Sequence, residues 1–201
     1  MNPIITVGYS GHAFVVADAI YSIGGIVTGY CDQLEKEHNP FHLKYLGPES
    51  REILEGNNWI VGVGDNFLRE RIIEGNKSFG TLVSVFHNSS IRGAMCEIRP
   101  GTFMAAHSVL NPLVKIGLGC IINTGAIVEH GCKIGNFTHI APGTVLAGNV
   151  QVGNRSFIGA NSVVKQGVSI GNDVIVGAGS VILRDVEDAC VMVGNPAKKI
   201  R

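Results

Sequence analysis

The sequence predicts an α/β chain in two parts, a small parallel sheet with helices followed by a parallel β-helix of six-residue repeats. Three observations predict this. Every sixth residue from Ile98 to Ile182 is aliphatic or Met, fifteen positions in a row. Four places after each stands a small or β-branched residue, as in Thr102, Ser108, Val114, Cys120, Ala126 and Cys132. Ahead of the repeat, short apolar runs alternate with helical stretches and are joined by glycine-bearing loops.

In chain order, residues 4–7 read as a buried strand that runs into Gly8-Tyr9-Ser10-Gly11-His12-Ala13 and an apolar helix to Ile23. A second strand at about 25–31 ends at Asp32, a third at 59–63 runs into Gly64-Asp65-Asn66, and a fourth lies near 81–86. This is a Rossmann-like arrangement, and residues 1–86 form the first domain. In such sheets ligands bind at the carboxyl ends of the strands, where glycines admit phosphate to the backbone and a helix N-terminus favours its charge. Gly8 and Gly11 do not complete the GxGxxG fingerprint, so the loop reads equally as a phosphate cradle or a tight turn. Asp32 reads as a ribose or base acceptor or as a solvated loop acid.

A period of six fits neither a helix of 3.6 residues per turn nor a simple hairpin, but it fits short strands joined by turns and stacked on their own kind. With three hexads to a triangular coil, fifteen hexads make about five coils spaced about 4.8 Å apart. The aliphatic residue points into the prism and the small one fills a corner. Cys120 and Cys132 fall at such corners and are packing residues. The β-helix spans 87–187, with a C-terminal segment at 188–201.

Composition narrows the partners. Lys plus Arg and Asp plus Glu both number 16, which gives no attraction to nucleic acid or an anionic membrane surface. Five cysteines at irregular spacing, without a CxxC pair, fit thiols in a reducing compartment. No apolar run reaches membrane-spanning length. A soluble cytoplasmic protein is expected.

One segment breaks the repeat with chemistry: Asn123-Thr124-Gly125-Ala126-Ile127-Val128-Glu129-His130. His130 is third in its hexad and so stands on an outward turn. An imidazole titrating near 6.5 can take a proton from an acyl acceptor at neutral pH. A backbone N–H at Gly148, in Ala147-Gly148-Asn149-Val150, is the simplest donor to an oxyanion.

Joined together, G-x-S-G-H-A, Asp32, V-G-x-G-D-N, the hexads, Glu129-His130 and the closing Val193-Gly194-Asn195-Pro196-Ala197-Lys198 resemble the bacterial hexapeptide-repeat N-acetyltransferases of UDP-4-amino-sugars. The sialic-acid O-acetyltransferases share that architecture. The resemblance implies a left-handed β-helix, a homotrimer with active sites between prisms, acetyl-CoA as co-substrate and no metal. It places the UDP portion on Ser10, Gly11, His12 and Asp32, the catalytic base at His130 with Glu129 beside it, and the acyl donor at His139 and Gly148. It also aligns Lys198, Lys199 and Arg201 with the phosphates of coenzyme A. The chain departs from the family at Gln33 and Gly131, each where an acid is common. Gly131 leaves Glu129 as the one adjacent acid to orient His130, and favours an amine over a hydroxyl acceptor.

Two other classes compete. Carbonic anhydrases on the same β-helix use three histidines, but His107, His130 and His139 lack the pair separated by four residues that they need. A nucleotide sensor on an assembly scaffold would need neither Glu129-His130 nor Gly148.

Overall fold

The computed structural model describes residues 3–201 and has both expected parts. In the first, strands β1 (Ile4–Val7), β2 (Val27–Cys31), β3 (Asn58–Val61) and β4 (Thr81–Leu82) form a parallel sheet in the order β2-β1-β3-β4. All four residues of β1, the inner strand, are buried, as a strand covered on both faces requires. Helix α1 (Gly11–Ser22) packs through Ala13, Val16, Ala17 and Ile20 on one face, against Ile4, Val27 and Ile60. Helices α2 (Arg51–Leu54) and α3 (Asn66–Asn76) cover Ile5, Val7, Trp59 and Val61 on the other.

The second part is a three-faced parallel solenoid in which each strand pairs with the one 18 residues on. Its first face carries Phe103–Met104, Ile121–Ile122, His139–Ile140, Phe157–Ile158 and Ile175–Val176. Its second carries Val109–Leu110, Ile127–Val128, Val145–Leu146, Val163–Val164 and Val181–Ile182. The third carries Glu97–Ile98, Lys115–Ile116, Lys133–Ile134, Gln151–Val152 and Ser169–Ile170. The second residue of each pair enters one continuous core with the small corner residues. Polar corner residues donate to a carbonyl in the next coil: Thr138 Oγ1 to Gly153 O (2.7 Å), Ser156 Oγ to Gly171 O (2.7 Å), Cys120 Sγ to Gly135 O (3.0 Å). Hydroxyls and thiols are thus buried without loss of partners. Burial pushes the Cys120 and Cys132 thiols up to about 11, so both are neutral packing groups.

The solenoid begins two hexads before the repeat is visible in sequence. The stretch 81–86, expected as one strand, is two: Thr81–Leu82 belongs to the sheet and Val85–Phe86 opens the solenoid. Ile91–Arg92 follows on the second face. Arg92 holds an inward register position, where its guanidinium lies 4.4 Å from the centre of the Phe86 ring at the open end. At the other end Val191–Val193 extends the first face and pairs antiparallel with Lys198–Lys199.

The three faces differ in what they meet. Outward side chains of the first face, Phe103 and Ile121, join the core of α1, so the sheet domain sits on this face. The third face is polar, with Glu97, Lys115, Lys133, Gln151 and Ser169 pointing out. The second presents only β-branched aliphatics: Ile91, Val109, Ile127, Val145, Val163 and Val181. No helix among the described residues is long and apolar enough to cross a membrane.

Candidate active site

At the carboxyl end of the sheet, Gly8 adopts φ +86°, and a Cβ there would stand 2.3 Å from Val63 Cγ2, so conformation and space both demand glycine. Ser10 takes the N-cap position of α1 in extended backbone, yet its exposed side chain makes no capping bond. The hydroxyl and the first N–H groups of the helix therefore face outward together. Asp32 accepts from Tyr9 N (2.9 Å) and Gln33 N (2.8 Å), and pairs with Lys36 Nζ (2.9 Å). It braces the glycine loop, and an ionised carboxylate keeps room for one further donor. Gly8, Asp32, Gln33, Glu49, Val63 and Arg71 are among the residues that line a cleft of about 240 Å³ at this edge.

His12 turns inward from the loop, beneath the sheet domain. Its ring stands edge-on to Phe103 at 5.4 Å and 6.2 Å from the ring of His139. His139 is only 8% exposed, not the surface histidine that its place on a repeat would give. Its Nε2 lies 3.0 Å from Asn123 Nδ2. His12 Nε2 and His139 Nδ1 are buried with no hydrogen-bond partner among the described residues. Burial, followed by the charge of Arg69, holds His12 down at about 4. Burial, then Arg69 and His12, holds His139 at about 3. Both rings are neutral at physiological pH.

His130 stands on the corner between the second and third faces, exposed, with no side-chain hydrogen bond in the chain. Its ring lies on the bare Cα of Gly148 in the next coil: a Cβ there would be 2.7 Å from both Cε1 and Nε2. The N–H of Gly148 has no partner among the described residues. Glu129 Oε2 instead accepts from Asn111 Nδ2 (2.9 Å), one coil back, so within one chain the carboxylate is not bonded to the imidazole.

The fold therefore brings the expected residues into two groups. His130 and Gly148 touch at one corner. His12 and His139 meet on the first face with Asn123, close to the glycine loop and Asp32. The two groups occupy different parts of one prism. His107, on a third location, joins neither, and no three His, Cys, Asp or Glu side chains gather among the described residues. Sequence reasoning assigned no role to Asn123, although it opens the segment that ends in His130. It also passed over Arg69, which is 1% exposed beside the two neutral histidines. The available signal was its spacing of three and four residues from Ile72 and Ile73, on the apolar side of α3.

Residues 3–75 match the PglD N-terminal domain family, and residues 149–184 match the bacterial transferase hexapeptide family (six repeats). The perosamine N-acetyltransferase of Caulobacter crescentus, solved as a histidine-to-asparagine mutant with CoA and GDP-perosamine, is 32% identical. The match covers 100% of this chain and 98% of that one, with a TM-score of 0.94. The acetyltransferase domain of PglB from Neisseria gonorrhoeae, in complex with acetyl coenzyme A, is 29% identical over 99% of each chain, with a TM-score of 0.92. WeeI from Acinetobacter baumannii, at 21% identity over 98% of this chain and 99% of its own, shares the fold with a TM-score of 0.88.

Proposed function

The chain belongs to the hexapeptide-repeat sugar-nucleotide N-acetyltransferases, and from that premise we propose that it moves acetyl from acetyl-CoA to the amino group of a UDP-linked 4-amino-sugar, with His130 as general base. The observation that carries the role of His130 is its ring lying on the Cα of Gly148, next to an N–H without a partner. Base and oxyanion donor stand side by side, as acyl transfer requires.

A sugar amine with a pKa of roughly 8, by analogy with an α-amino group, is partly neutral at pH 7. Its lone pair attacks the thioester carbonyl carbon, and His130 takes the proton as the C–N bond forms. The Gly148 N–H donates to the oxyanion of the tetrahedral intermediate. Collapse breaks the C–S bond, and the imidazolium returns its proton to the departing thiolate. Glu129, bonded elsewhere, favours the imidazolium by charge alone, which suits an amine better than a hydroxyl.

The acceptor is held at the sheet edge: phosphates at Ser10, Gly11 and the start of α1, nucleoside at Asp32, and the sugar reaching toward His12. His139, with Asn123, meets the acyl donor. Arg184 and Lys198 line a cleft of about 410 Å³ at the far end of the solenoid, which suits the phosphates of coenzyme A. The five free cysteines fit a cytosolic setting.

These groups meet in a homotrimer. The second face is an exposed aliphatic ladder, with Val163 42% and Ile91 59% exposed, and an apolar face of this length needs cover. Three prisms that turn the same face to a common axis set one corner of that face against the opposite corner of the neighbour. His130 thereby meets Asn123 and His139 of the partner subunit.

The GDP-perosamine bound by the Caulobacter relative supports a guanosine nucleotide as a second reading. Thermal stabilisation by UDP compared with GDP separates the two. Thiol release from acetyl-CoA with UDP- and GDP-linked 4-amino-sugars tests the activity. His130→Ala should lower the rate about 10²–10⁴-fold without loss of folding. An active variant would remove His130 from the mechanism.

A further inference from the structure

Arg69 carries a positive charge into the interior and meets no carboxylate within salt-bridge distance among the described residues. It is satisfied entirely by neutral oxygens. Nε donates to Gly119 O (2.7 Å); Nη1 to Val63 O (3.2 Å) and Gly64 O (2.9 Å); Nη2 to Asn66 Oδ1 (2.7 Å) and Phe137 O (2.8 Å). Every N–H of the guanidinium is used. Asn66 then donates through Nδ2 to Arg155 O (2.8 Å) and Ser156 O (3.2 Å).

Gly119, Phe137 and Arg155 are spaced 18 residues apart, one per coil, and each has a positive φ, of 62°, 57° and 55°. They are the same corner position in three successive coils, and the backbone ladder leaves all three carbonyls without a partner. Arg69 and Asn66 together close that row. The same pair fixes the carbonyls of Val63 and Gly64, at the end of β3, on the loop that lines the nucleotide cleft. Gly64 in turn packs toward His12, with 4.0 Å between an added Cβ and His12 Cβ.

We propose that Arg69, with Asn66, is a positioning pair that sets the axial register of the nucleotide-binding domain on the solenoid, and so the distance from the sugar amine to the acetyl group. This rests on the functional reading above, in which one domain holds the acceptor and the solenoid carries the chemistry. A repeating corner offers the same carbonyl every coil, and a shift of one coil would displace the acceptor by about 4.8 Å. Three different rungs read at once by two short-range groups resist that shift. A lysine cannot replace the guanidinium, because a single ammonium cannot reach five acceptors in a plane.

Arg69→Lys, which keeps the charge, and Asn66→Ala, a milder change, are compared with wild type in steady-state kinetics with acetyl-CoA and the acceptor sugar nucleotide. For Arg69→Lys we expect kcat to fall about 10²-fold, the cost of misplacing reactants by about 1 Å. The KM for acetyl-CoA and the oligomeric state should stay as in wild type, with a smaller fall in kcat for Asn66→Ala. Free guanidinium added to Arg69→Ala should recover part of the lost kcat. Wild-type kcat per folded enzyme in Arg69→Lys, or a loss lying wholly in thermal stability, overturns the proposal. If wild type itself releases no thiol with any amino-sugar nucleotide, the functional reading fails instead. Amide exchange then reads the clamp: faster exchange at residues 62–66 in Arg69→Lys supports it, and unchanged exchange overturns it.

Discussion

The solenoid and the sheet domain treat their polar groups in opposite ways. In the sheet domain they are tied to one another: Asp32 to Tyr9 N and Lys36, Asp65 to Leu68 N, Arg69 to five oxygens. On the solenoid corner His130 has no side-chain partner, and its place comes from the backbone repeat alone. A lattice that repeats every 18 residues supplies rigidity without spending side chains on it, so chemistry can be added by changing one position in one coil. The functional positions are accordingly the exceptions to the repeat. His139 stands in an outward column otherwise made of Phe103, Ile121, Phe157 and Ile175.

Gly148 offers the strongest way to break this comparison. Its corner position is filled by Ala94, Pro112 and Gln166 in other coils, and its φ is not in the left-handed region, so the backbone does not require glycine. Only the His130 ring does. Gly148→Ala should therefore leave the melting temperature almost unchanged while kcat falls about 10²-fold through a displaced imidazole. Gly131→Ala is the control, because Gly131 has φ +70° and its added Cβ meets Asn149 Oδ1 at 2.4 Å. There the loss should be in stability, about 1–2 kcal/mol. A Gly148→Ala enzyme with normal kcat would mean that the solenoid site tolerates movement the lattice is argued to prevent.

The seam between the regions is tested by pH. His12 and His139 fold neutral, held at about 4 and about 3 against an ordinary value of 6.5. Below pH 6.5 the unfolded chain takes up protons that the folded chain refuses, so stability falls as pH drops. From pH 6.5 to 5 the loss should be about 2 kcal/mol for each histidine. Urea denaturation across that range measures it. His139→Phe, which copies its neighbours in the column, should remove about half of the slope. An unchanged slope in that variant would detach His139 from the seam.

Legibility in the sequence followed the same division. The solenoid was readable because each hexad repeats one packing problem, and the register failed only at Arg92, where a guanidinium over Phe86 replaces an aliphatic at an open end. His130 and Gly148 were legible as local departures from that register. The burial of His139 was not, because what covers it is a domain more than 60 residues away in sequence. Arg69 was hidden for a related reason. A single arginine on a helix is ordinarily solvated, and the carbonyls that draw it inside belong to corners of three coils that only the folded chain stacks.

Two helix caps sharpen the comparison by the smallest effect. Asp65 caps α3 through a 2.7 Å bond from Leu68 N, whereas Ser10, in the equivalent place on α1, caps nothing. An N-cap side chain is ordinarily worth about 1 kcal/mol. Asp65→Ala should lose about that much stability in thermal denaturation, while Ser10→Ala should change it by less than about 0.5 kcal/mol. If the Ser10 hydroxyl is kept for phosphate, its loss should appear as a several-fold higher KM for the sugar nucleotide, with the KM for acetyl-CoA unchanged. A Ser10→Ala protein destabilised as much as Asp65→Ala would make Ser10 one more tied group of the sheet domain rather than a free one at its ligand edge.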